Sequence, residues 1–246
     1  MTTDPLVLLP QLDQATDRLL RTAATLGDAA GPSSLPGWTR GHVLTHLARN
    51  ADAYVNLLNW ARTGVRTPAY PSAEARAADI EAGAGRPLAE QVEDVRAAAT
   101  RFAELAADMP ASAWAATIEK LGGREVPATI VVWDRLREVE VHHVDLDAGY
   151  TTADWPDAFS QHLLRELLNG FGKRHDAPTL ILRPDELGHD LSLRPAPAGD
   201  DAGDAAGVPV VAGPSHALAG WLSGRSAGDN LRVIPDGPLP SVPAWM

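Results

Sequence analysis

Glu138 and His142 stand four residues apart in Val132-Trp-Asp-Arg-Leu-Arg-Glu-Val-Glu-Val-His-His-Val-Asp-Leu146, a run whose pattern predicts a helix. On a helix that spacing stacks both side chains on one face. At about 100° per residue, Asp134, Arg135, Glu138, His142 and Asp145 fall on a single polar stripe. Val132, Val139 and Leu146 border it on one side, Val141 and Val144 on the other. A polar stripe set in an apolar face points inward, where unpaired charge is costly. Whatever this chain folds into must therefore satisfy buried carboxylate and imidazole groups. A metal ion does so, and so does hydrogen bonding within a core. An imidazole and a carboxylate are two of the three protein ligands that a catalytic zinc site uses, with the fourth position left open.

The rest of the first half also reads as helix. Residues 5–26 carry Leu12, Ala15, Leu19, Ala23 and Leu26 at helical spacing. Thr39 suits the N-cap of a long helix ending near Arg62, with Gly64 just beyond it. A short helix is expected over 72–81, and Pro87 suits the start of another carrying Leu88, Val92, Val95, Phe102 and Leu105. Between Trp114 and Val126 the pattern becomes that of a small hairpin turning at Leu121-Gly-Gly. Pro127 is then expected to open the helix that bears the polar stripe, which closes near Gly149. The sum is an up-and-down bundle of four main helices with a hairpin before the last.

From Pro156 the character changes. One helix is expected over 156–171, then short strands at 179–183, 191–194 and 208–211. Ser215 suits the cap of a helix running to Gly224, and 231–234 suits a last strand. The Gly/Asp/Ala/Pro stretch 195–207 reads as a loop. The expected class is α+β, with a helical bundle over 1–152 and a smaller α/β domain over 153–246.

Composition narrows the partners. The 246 residues carry a formal net charge of −11, which argues against nucleic acid or an anionic membrane surface. Cysteine is absent, so there is no disulfide framework and no protein thiol to act as nucleophile. Any thiol chemistry must use a thiol that a partner brings. The N-terminus lacks the basic-then-apolar pattern of a signal peptide, and no apolar run reaches membrane-spanning length. A cytoplasmic monomer is expected.

A third metal ligand is available on the second long helix. His46 shares a face with Val43, Ala53 and Leu57 and points into the bundle, where metal sites are built from facing helices. His42, one turn earlier, is the competitor, but it lies in the first turn, where solvent or a supporting role is expected. His143 is turned about 140° from Glu138, so His142 is the expected ligand of the pair. His162, His175, His189 and His216 are scattered and read as surface or structural residues.

Several of these segments together resemble the mycothiol-dependent maleylpyruvate isomerase family. They are Leu35-Pro-Gly-Trp-Thr-Arg-Gly-His-Val-Leu-Thr-His-Leu-Ala-Arg-Asn50, Asn59-Trp-Ala-Arg-Thr-Gly64, Thr67-Pro-Ala-Tyr70, Arg137-Glu-Val-Glu-Val-His-His-Val-Asp-Leu146 and Ser223-Gly-Arg-Ser226. The likeness runs in one order from about residue 35 to the C-terminus. It implies a DinB-like bundle followed by a sterol-carrier-like α/β domain, and a zinc ion held by His46, Glu138 and His142. Arg225 matches an arginine that matters for activity in the family.

The activity implied is isomerisation of maleylpyruvate to fumarylpyruvate, in the gentisate route of aromatic-compound catabolism. A thiolate adds to the alkene carbon, the bond rotates, and elimination returns the trans product. Zinc in such a site would deprotonate and place the thiol of mycothiol, while Arg225 would pair with a substrate carboxylate. Asp145 would orient His142, with Arg135 or Arg137 as rival partners for it. Two other readings remain open: a mycothiol S-transferase acting on another electrophile, and a non-enzymatic ligand-binding module.

Overall fold

Asp4 opens the first helix, its carboxylate accepting the Leu6 N–H at 2.9 Å with Pro5 in the first turn. Helix α1 (Pro5–Ala24) buries Leu8, Leu12, Ala15, Leu19 and Ala23 along one face. Thr39 caps α2 (Arg40–Thr63), and Gly64 ends it in the left-handed conformation that favours glycine. Ser72 caps α3 (Ala73–Ala84), and α4 (Leu88–Ala107) follows Pro87. A short 3-10 turn (Ala111–Ala115) leads into a hairpin of β1 (Thr117–Glu119) and β2 (Glu125–Pro127), then α5 (Ile130–Asp145). The computed structural model describes residues 4–194 and 207–245, so most of the loop expected at 195–207 lies outside the described residues. The chain divides into two units, Met1–Tyr150 and Thr151–Met246.

Two expectations for the first unit are corrected. Pro127 does not open the last bundle helix. It ends β2, opposite Thr117, while Ala128 and Thr129 donate their N–H groups to Ala116 and Trp114. The hairpin thus uses backbone donors that a helix would leave free, and α5 starts three residues later. Nor are all consecutive helices side by side as in a simple up-and-down bundle. Helix α2 packs on α4 and α5, and α1 packs on α5 and α4. The order around the bundle is α1, α5, α2, α4, with α1 diagonal to α2 and α4 diagonal to α5. The long connections 25–39 and 108–129 make those diagonal crossings possible.

Helix α3 lies against α2 with almost nothing between them. A Cβ on Gly41 would sit 2.1 Å from the Ala84 carbonyl oxygen, and one on Gly83 would sit 2.5 Å from Thr45 Cγ2. Gln91 locks the junction, its amide donating to the Gly83 and Ala84 carbonyls at 3.2 and 2.8 Å.

The second unit begins with a short 3-10 turn (Thr152–Asp154) and α6 (Asp157–Phe171). It continues with β3 (Leu180–Pro184), β4 (Leu191–Leu193), β5 (Val210–Gly213), α7 (Ser215–Ser223) and β6 (Arg232–Ile234). The sheet order is β4-β3-β5-β6, with the central pair parallel and both outer pairs antiparallel. Helices α6 and α7 pack on each other, α6 also touching β4 and α7 touching β3 and β5. Ser215 does not cap α7 as expected. It is the first helical residue, and its N–H and hydroxyl both donate to Glu186, at 2.9 and 2.7 Å. A carboxylate from elsewhere in the chain thus serves the positive end of the helix.

Gly41→Ala tests the α2–α3 junction. In an ordinary helix this change stabilises by up to about 1 kcal/mol. Here the added methyl meets backbone, so a loss of about 1–3 kcal/mol is expected. Chemical denaturation followed by circular dichroism reads the sign directly.

Candidate metal centre

Helices α2 and α5 face each other inside the bundle and bring His46, Glu138 and His142 together. One donor atom from each lies within 4.8 Å of the others. His46 Nε2 is 2.8 Å from Glu138 Oε2, and His142 Nε2 is 3.5 Å from the same oxygen. The two imidazole rings stand nearly perpendicular, with centroids 4.6 Å apart. Both histidines are buried, and Glu138 is nearly so.

The surroundings split the two imidazoles. Burial pulls the pKa of His46 down to about 4, against the opposing hydrogen bond to Glu138. His46 is therefore a neutral ring with a lone pair to give. Burial also disfavours the charged form of His142, but hydrogen bonds to Asp145 and Glu138 outweigh it and raise the pKa. Burial alone would raise the Glu138 carboxyl, yet hydrogen bonds from both imidazoles hold it well below the ordinary range. It is a carboxylate at neutral pH. The set is two nitrogens and one oxygen, of the kind that binds zinc and leaves a coordination position open.

His142 is held from behind. Its Nδ1 lies 2.8 Å from Asp145 Oδ2, which directs Nε2 towards Glu138 and His46. Asp145 in turn accepts from the Ser34 hydroxyl at 3.1 Å, and its carbonyl accepts the Ser34 N–H at 3.0 Å. The rival arginines go elsewhere. Arg135 donates to the Leu47 carbonyl and Asn50 Oδ1, at 2.9 and 2.8 Å, and burial lowers its pKa to about 10. Arg137 pairs with Asp134 at 3.2 Å and approaches Glu138 Oε1 at 3.9 Å.

The two other histidines on the bundle helices are accounted for by their contacts. His42 completes the α2 cap, with Nδ1 taking the Thr39 N–H at 3.1 Å and Nε2 lying 3.2 Å from Glu81. His143 points away from Glu138, contacts Thr22 at 2.8 Å and stacks on Tyr150 with centroids 3.6 Å apart. Arg225 belongs to the second unit. It follows Gly224, which closes α7 with positive φ, and its guanidinium lies 6.0 Å from the Trp245 ring centre.

Three residues around the donors were not singled out by the helical pattern. The Trp38 ring meets His46 edge-on at 5.7 Å. Arg76 on α3 donates to His46 Nδ1 at 3.2 Å and lies over the Tyr70 ring. Tyr70 is pushed up to about 12, chiefly by burial, with the Glu138 charge adding and the Arg76 charge opposing. Trp38 and Tyr70 do lie within the segments that carry the family resemblance. Arg76 lies outside them, and its helix has little amphipathic pattern to mark it.

Comparison with known proteins fits this arrangement. The family model described as the mycothiol maleylpyruvate isomerase N-terminal domain matches residues 12–147. That is more than half of the chain, which therefore belongs to the mycothiol maleylpyruvate isomerase family. A crystal structure of the mycothiol-dependent maleylpyruvate isomerase superposes with a TM-score of 0.87 at 28% identity, covering 98% of this chain and 97% of that one. The structure of a histidine-to-alanine mutant of that enzyme matches with a TM-score of 0.86 at 28% identity over the same shares. No curated protein sequence matches the chain. The α+β class is that of these structures, and no helix among the described residues is long and apolar enough to cross a membrane.

The donor set makes two measurable predictions. Asp145→Asn removes the carboxylate charge behind His142 and leaves one acceptor oxygen for His142 and Ser34 to share, so zinc affinity should fall by about 10- to 100-fold while the fold persists. Equilibrium dialysis with metal analysis reads this. The raised pKa of His142 means that protons compete for its nitrogen as pH falls. Zinc uptake by metal-stripped protein should therefore begin to fall at a higher pH than an ordinary imidazole, near about 6.5, would give, and be weak by about pH 5.5.

Proposed function

We propose that this chain is a metal-dependent isomerase that uses mycothiol to convert maleylpyruvate to fumarylpyruvate. His46, Glu138 and His142 hold a divalent ion, and their donor chemistry favours zinc. Membership of the family supports the reading, and the observation that carries it is the N/O/N donor set. Such an ion supplies an open Lewis-acid position at which a thiol gives up its proton near neutral pH.

The chain's own residues shape that position. Glu138 is the single carboxylate donor, so a bound dication keeps a net positive charge and attracts an anionic sulfur. Asp145, by accepting from Nδ1 of His142, keeps the Nε2 lone pair free for the metal. The apolar walls of α2 and α5, including Val43, Val139 and Val141, are buried and limit water around the donors. With no cysteine in the sequence, the attacking sulfur must come from the cofactor. Arg225 enters as a residue of the second unit on which turnover depends.

The test is an assay of purified, zinc-loaded protein with maleylpyruvate, with and without mycothiol. Mycothiol-dependent formation of fumarylpyruvate is expected. Glu138→Gln and His142→Ala should hold far less than the about one equivalent of zinc that one site per chain predicts, and should be inactive. Arg225→Ala should keep its zinc and lose about tenfold or more in turnover. A mass-shifted mycothiol conjugate with no isomer formed would instead assign S-transfer. Protein that takes up no zinc and isomerises nothing would sink the proposal.

A further inference from the structure

Arg76 is an unusual cation. It sits half-buried on α3, and no carboxylate pairs with it among the described residues. It donates to an imidazole nitrogen, His46 Nδ1, at 3.2 Å, and its guanidinium carbon lies 5.9 Å from the Tyr70 ring centre. Tyr70 carries a second unsatisfied donor. Its hydroxyl is buried and its proton meets no acceptor among the described residues; the group beside it is the Arg76 guanidinium, itself a donor. A half-buried guanidinium without a counter-ion beside a buried phenol without an acceptor is costly, unless an anion with two oxygens completes both.

The contact between Arg76 and His46 cannot persist once Nε2 of that ring is a metal ligand. Its neutral imidazole then carries its proton on Nδ1, and a guanidinium has no acceptor to offer it. Arg76 must turn to another partner, and Tyr70 lies next to it. Both groups adjoin the donor set. The Glu138 charge is felt at Tyr70, and Arg76 touches a ligand ring directly. A guanidinium and a hydroxyl side by side match the two oxygens of a carboxylate.

We propose that Arg76 and Tyr70 form a carboxylate clamp beside the metal donors, which takes one end of a dicarboxylate substrate. The proposal rests on the metal-dependent isomerase reading above, because that reading supplies the substrate class. The clamp fixes the end of the chain next to the alkene while the sulfur adds and leaves. It is the specificity element of the first unit. The close α2–α3 junction at Gly41 and Gly83 sets its distance from His46.

The experiment compares wild type, Arg76→Gln, Arg76→Lys and Tyr70→Phe, all zinc-loaded, by calorimetric titration with maleate. Maleate is a cis dicarboxylate that lacks the ketone, and without mycothiol no thiol is present to add to it. Zinc content is measured on the same samples, and KM and kcat for maleylpyruvate are measured alongside. Expected are equal zinc contents and maleate binding weakened by about tenfold or more in Arg76→Gln. A smaller loss is expected in Tyr70→Phe, and partial retention in Arg76→Lys, which keeps the charge but not the fork. KM should rise more than kcat falls.

Three results would overturn the clamp. One is maleate binding by Arg76→Gln equal to wild type, and another is no saturable maleate binding by wild type. The third is loss of zinc from Arg76→Gln, which would assign the arginine to holding His46. Failure of the isomerase reading looks different: wild type would bind maleate in an Arg76-dependent way yet form no fumarylpyruvate.

Discussion

A carboxylate buried between two imidazoles is the constraint around which the first unit is organised. Glu138 cannot leave water without partners, and its neighbours on α5 cannot all supply them. His142, one turn on, supplies one contact. The other comes from His46, 92 residues away in sequence and on a different helix. Satisfying one charge thus requires α2 and α5 to face each other, and the order of helices around the bundle gives them that contact. The same demand extends outward. His142 needs Asp145, and Asp145 is bound by Ser34 in the loop before α2. The two helices that carry the donors are therefore also tied through that loop.

The candidate site was largely legible because its signal is local. The four-residue spacing of Glu138 and His142, set among valines, needs only helical geometry to place both on one buried face. His46 could be chosen over His42 because the latter sits in the capping turn, and the structure uses it there. Arg76 and Tyr70 left no such mark. Their role lies in what they meet across a tertiary contact, and an arginine in the alanine-rich helix α3 looks like any solvated side chain. Arg225 was reached through resemblance alone.

The fold was legible element by element, and less so in its connections. Helix ends were marked by Thr39, Gly64, Ser72 and Gly224, whose roles follow from backbone chemistry. The diagonal placement of α1 and α2 was not marked, because residues 25–39 can reach either an adjacent or a diagonal neighbour. Pro127 misled because proline suits a helix start and also a strand end, and only the pairing with Thr117 decides between them. Ser215 misled for a similar reason, since serine in the first turn resembles a cap until Glu186 is seen to take that task.

The bare-backbone junction of α2 and α3 separates two kinds of evolutionary freedom. With Gly41 and Gly83 holding the helices in register, the outer helix can exchange its side chains without moving the histidine beneath it. A change of side chains on α3 alone would alter what surrounds His46 from outside. The donor set of His46, Glu138 and His142 on α2 and α5 would stay in place.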